Sequence, residues 1–97
     1  MVSTAALSAG RVTVFGPMSC LPGVSTPVRV TAHHAHGWTV GSKSLRLGHK
    51  RLHKHSLDGS KLTPGKTYKL HGSVVFHHGT HHKKLTATLK FTSCPTG

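Results

Sequence analysis

An all-β sandwich of about seven strands is what this chain predicts, and three observations point to it. Apolar and polar residues alternate with period two from Arg11 onward. The composition of 12 Thr, 11 Gly and 5 Pro supplies strand and turn material, and no stretch carries the 3.6-residue period of a helix. A length of 97 residues admits one domain, and chains of this size bury roughly 64% of their unfolded surface on folding. Residues 11–97 therefore read as a single β-sandwich domain, and residues 1–10, small and apolar, as a flexible N-terminal arm.

The elements follow in order. Val12 and Val14 alternate with Arg11 and Thr13 to define a strand at 11–15, which the Gly16-Pro17 pair ends. After the turn signal Leu21-Pro22-Gly23, Val28 and Val30 repeat the pattern at 27–31. Trp38 and Val40 mark a short strand at 38–40, Leu45 and Leu47 another at 44–47, and residues 49–53 a further one. Asp58-Gly59 and Pro64-Gly65 are turns that precede the two longest strands, 67–78 and 81–92.

Those last two strands can be registered from sequence alone. Gly79-Thr80 suits a two-residue type II′ turn with Gly in its first position. The turn sets Phe76 opposite Lys83, Val74 opposite Leu85, Gly72 opposite Ala87, Leu70 opposite Leu89 and Tyr68 opposite Phe91, a face that reads as core. The other face pairs His77 with His82, Val75 with Lys84, Ser73 with Thr86, His71 with Thr88 and Lys69 with Lys90, and is polar enough to meet solvent.

Cys20 and Cys94 stand near the two ends of the patterned region, and neither belongs to a Cys-x-x-Cys pair. A terminal disulfide is the economical reading, two buried free thiols the alternative. A bridge of that span removes denatured-state entropy on the order of 4 kcal/mol and implies an oxidising compartment, extracellular or on a cell surface, or else in a virion or filament. No run of 18 apolar residues occurs, so no helical membrane span is expected.

The stretch Leu62-Thr63-Pro64-Gly65-Lys66-Thr67-Tyr68 resembles the Leu-x-Pro-Gly-x-x-Tyr corner that opens the sixth strand of fibronectin type III and related immunoglobulin-like domains. The resemblance implies that the Tyr68 hydroxyl bonds back to the preceding loop while its ring enters the core beside Leu62. With the strand spacing and the terminal cysteines, residues 11–94 look like a fibronectin type III or immunoglobulin-like module of bacterial secreted or surface proteins. Such modules serve as spacers, adhesion units and binders of carbohydrate or protein, and fold alone does not choose among these.

Composition narrows the chemistry. Thirteen Lys and Arg stand against one acidic residue, Asp58, for a formal charge of +12. Paired-carboxylate catalysis and carboxylate-held Mg²⁺ or Ca²⁺ both need acids this chain lacks. There is no nucleophile elbow and no phosphate-cradling Gly-rich loop, so a non-enzymatic protein with no required cofactor is expected. Two basic clusters, 49–55 and 81–84, put forward Lys50, Arg51, Lys54, Lys83 and Lys84 for an anionic polymer or a partner protein. Few aromatics are left for base stacking, which argues against sequence-specific nucleic-acid binding.

Eleven histidines form the second reserve of chemistry, and protonating all of them would raise +12 to +23. His34 with His36, His53 with His55, and His77 with His82 are candidate pairs for Zn²⁺, Cu²⁺ or Ni²⁺, the ions imidazole suits. The leading expectation is a secreted or surface-displayed module that attaches through a basic, His-rich face. The alternatives are a structural subunit of a filament, surface layer or phage particle that self-assembles through exposed strands and the arm, and a His-rich metal-binding module.

Overall fold

The computed structural model describes residues 2–17, 20–52 and 55–95. The described chain is all-β, with strands β1 (Val2–Leu7), β2 (Gly10–Phe15), β3 (Ser25–Pro27), β4 (Arg29–His34), β5 (Thr39–Leu47), β6 (Lys50–Leu52), β7 (Ser56–Asp58), β8 (Thr67–His78) and β9 (His81–Thr92). One 3₁₀ turn, Gly59–Lys61, follows β7. No helix among the described residues is long and apolar enough to cross a membrane.

A three-stranded antiparallel sheet, β1-β2-β4, faces a four-stranded one, β6-β5-β8-β9. Between them lie Val12, Val14 and Val30 from the first sheet, and Leu45, Leu70, Val74, Phe76, Leu85, Ala87, Leu89 and Phe91 from the second. β3 and β4 are separated only by Val28, and β3 pairs with β7, so the first layer continues past β4 through a second short ladder. The sandwich is closed at its end by a disulfide between Cys20 and Cys94, whose Cα atoms are 4.9 Å apart. Leu21 runs parallel to Ser93 there, donating its N–H to Thr92 O at 2.8 Å and accepting from Cys94 N–H at 2.8 Å. Such a bridge is compatible with an extracellular location.

The long hairpin has the expected limits and register, from Tyr68 against Phe91 to His77 against His82. Gly79 has φ +60° and Thr80 a negative φ, the combination a type II′ turn requires. The Tyr68 hydroxyl accepts from Thr63 N–H at 2.9 Å while its ring stacks on Phe91, centroids 6.0 Å apart. That N–H holds the Tyr68 phenol below its ordinary pKa.

Three expectations need correction. The segment read as a flexible arm is strand, since Val2–Leu7 pairs residue for residue with β2, from Val2 against Phe15 to Leu7 against Gly10. β1 is the edge strand of its sheet and pairs there with β2 alone, so these residues form an ordered sheet edge rather than a free arm. The strands expected at 38–40 and 44–47 are one, interrupted between Val40 and Lys43 where Gly41 and Ser42 together oppose Val75. β7 was not expected, because three residues give no alternation to read.

Asp58 caps the 3₁₀ turn, accepting from Ser60 Oγ at 2.6 Å and from Ser60 N–H at 3.1 Å. The hydroxyl first, and the N–H second, hold its carboxyl below the usual carboxylate range. Folding lowers this pKa, so the associated stability is present above the unfolded value of about 3.9 and is lost as pH falls through the lower folded value. In Asp58→Asn the stability lost below about pH 4 should shrink, as read by thermal unfolding between about pH 5 and pH 2. An identical acid profile in that variant would remove Asp58 as its cause.

Candidate functional site

Residues directly opposite in an antiparallel pair share a face, so the registers of the four-stranded sheet sort its side chains. One row runs across the outer face as Arg51, Arg46, His71 and Thr88. The next row on that face is Ser44, Ser73 and Thr86, and beyond it lie Val75 and Lys84. On the other side of the first row stand Lys69 and Lys90. The inward rows between them hold Leu45, Leu70, Gly72 and Val74, all buried, which fixes the sheet's orientation.

The short side chains of the middle rows form a floor and the long cations form walls. Ser73 is only 7% exposed and exchanges a hydrogen bond with Thr86, Oγ to Oγ1 2.9 Å. His71 Nδ1 lies 2.8 Å from Thr88 Oγ1, which steadies the imidazole on the sheet. Above them is an open groove of about 680 Å³ lined by Arg46, Lys69, His71, Ser73, Lys84, Thr86 and the Gly48-His49 turn. A second groove of about 210 Å³ shares Arg46, Ser73 and Lys84 with it and adds Lys43 and Arg51.

No carboxylate side chain lines either groove. Asp58, the one acidic residue, lies on β7, outside this sheet, with an oxygen already engaged by Ser60. Arg46 therefore stands directly across from Arg51 with no acid between them, an arrangement of like charges that costs stability. The planar guanidinium matches tetrahedral oxyanions with paired N–H donors, so an oxyanion placed between the two would offset that cost.

Of the five residues put forward for anion binding, Arg51 and Lys84 meet on this face. Lys50 is opposite Leu47 and Lys83 opposite Phe76, so both belong to the other face of the sheet and point away from the grooves. Lys54 lies outside the described residues. Sequence reading overlooked Arg46, although the inward alternation of Leu45 and Leu47 already placed it outward.

The histidine pairs separate in the same way. His77 and His82 meet, Nδ1 to Nδ1 2.9 Å, with rings edge to face and centroids 5.0 Å apart. His34 and His36 do not share a strand face, because β4 ends at His34. His55 lies toward the opposite end of β4, its carbonyl accepting from Val28 N–H at 3.0 Å, about 20 Å of strand from His34. His53 lies outside the described residues. Among the described residues no group of three or more His, Cys, Asp or Glu is placed to hold a metal ion together.

The chain matches no protein-family model, no curated protein and no solved structure.

Proposed function

We propose that this is a non-enzymatic binding module, secreted or displayed on a surface, that attaches to an anionic polymer through the outer face of its four-stranded sheet. The observation that carries the reading is the Arg46–Arg51 pair, flanked by Lys84, Lys69 and His71 over a hydroxyl-lined floor that has no carboxylate. Phosphate or sulfate groups spaced along a chain suit such a face, since each neutralised charge releases condensed counterions. An immunoglobulin-like class is supported by strand order. With β3 and β4 counted as one interrupted strand and β2 as the first, the first, second and fifth strands share one layer and the third, fourth, sixth and seventh the other. The Tyr68 hydroxyl bond to Thr63 supports it further.

The test is binding of heparin and of long-chain polyphosphate across a salt series. Arg46→Ala with Arg51→Ala is expected to weaken binding at least about tenfold and to flatten the log–log salt slope by about two. Lys50→Ala with Lys83→Ala removes the same charge from the other face and should change both far less. Equal losses in the two variants would mean that net charge, not this face, does the binding.

A further inference from the structure

A close approach of two imidazole nitrogens lies at the opposite end of the same sheet from the Arg row. His77 and His82 face each other across the hairpin with their Nδ1 atoms 2.9 Å apart. A contact that short between two imidazole nitrogens holds a single proton: one ring donates N–H, the other accepts with its lone pair. We propose that this pair is a transition-metal site selective for Cu²⁺, in which both rings turn so that the ion, seated off the line between the two nitrogens, displaces the shared proton.

The geometry selects the ion. Imidazole nitrogens bind at about 2.0–2.1 Å, so two of them about 2.9 Å apart subtend close to 90° at the metal. That is the angle between neighbouring ligands in the tetragonal coordination of Cu²⁺. Tetrahedral Zn²⁺ needs the nitrogens about 3.3 Å apart, and so requires the rings to part. Binding moves the donor ring's proton from Nδ1 to Nε2, which leaves both Nδ1 lone pairs on the ion with no net change in protons. Water fills the remaining positions, since no third His, Cys, Asp or Glu among the described residues joins the pair.

The backbone holds the site in shape. Gly41, in the bulge of β5, lies beneath the His77 ring, and a Cβ there would run into His77 Nε2, come within 2.6 Å of His77 Cδ2 and stand 2.9 Å from Val75 O. The absence of a side chain at Gly41 is thus what lets the His77 ring lie back and present Nδ1 to His82. This role for a strand glycine differs from a turn requirement and gives the proposal a second handle.

The test is calorimetric titration of the oxidised protein with Cu²⁺, paired with electron paramagnetic resonance of the loaded protein. One tight ion per chain is expected, with hyperfine structure from two imidazole nitrogens. Each of His77→Ala and His82→Ala should weaken binding at least about tenfold, by loss of the preorganised second ligand, and reduce the spectrum to one nitrogen. Gly41→Ala should weaken binding while both ligands remain, by displacing the His77 ring. His34→Ala with His36→Ala should leave affinity and spectrum unchanged. Affinity and spectrum that survive His77→Ala with His82→Ala, or that fall equally in the His34 and His36 variant, would overturn the proposal.

Discussion

Replacing Cys20 and Cys94 together with serine is expected to lower the stability of the domain by about 4 kcal/mol. The bridge joins residues 74 apart in sequence, so it removes many extended conformations from the unfolded chain. It does little to create native contacts. Leu21 N–H to Thr92 O and Cys94 N–H to Leu21 O hold the same segments together whether or not the sulfurs are joined. A domain this small has a total stability of similar size to the loss, so the variant should unfold about 20 °C lower. Thermal unfolding of the wild type with and without a phosphine reductant, beside the serine variant, measures it. The reduced wild type and the variant should melt together. A melting temperature that falls by less than about 5 °C would mean that the unfolded chain is already compact enough for the cross-link to constrain little.

How much of this was readable in advance depended on where pattern and turn chemistry agreed. The β8–β9 hairpin was legible to the residue, because Gly79-Thr80 admits one turn and a slip of one would carry lysines inward. β1 was not, because Val2–Leu7 offers mostly small residues with little contrast between its faces, and its strand character comes from pairing with β2. β5 looked like two strands because the extra residue at Gly41-Ser42 shifts the phase of alternation between Val40 and Lys43. The grouping of cations on the proposed binding face was hidden for a related reason. Consecutive basic residues such as Lys83-Lys84 make an obvious cluster along the chain, yet neighbours on a strand point to opposite faces. The cations that gather in space, Arg46, Arg51, Lys69 and Lys84, come from four strands and are assembled only by register.

Adding a single methyl group at Gly72 is expected to destabilise the fold by about 1–3 kcal/mol, even though alanine is the better strand residue. Gly72 is buried in the middle of β8, directly between Leu45 on one side and Ala87 on the other. Gly72 and Ala87 leave a dip in the inner face of the four-stranded sheet, and Val14 of β2 and Val30 of β4 reach toward Gly72 there. A Cβ at Gly72 would strike Val14 Cγ2, stand 2.9 Å from Val30 Cγ2 and lie 3.3 Å from Val30 Cβ. Valine is stiff at χ1, and Val14 is fully buried in a close-packed core, so it has little freedom to yield. The two layers must then separate locally, which loosens contacts well beyond the site. A double-mutant cycle isolates this cause from a general intolerance of core change. Val14→Ala alone opens a cavity and destabilises, whereas in the Gly72→Ala background it makes room for the new methyl. The second step should therefore cost less by about 0.5–3 kcal/mol, read from denaturant unfolding of the four proteins. Additive losses would show that Gly72 is required for some reason other than the close approach of the facing sheet.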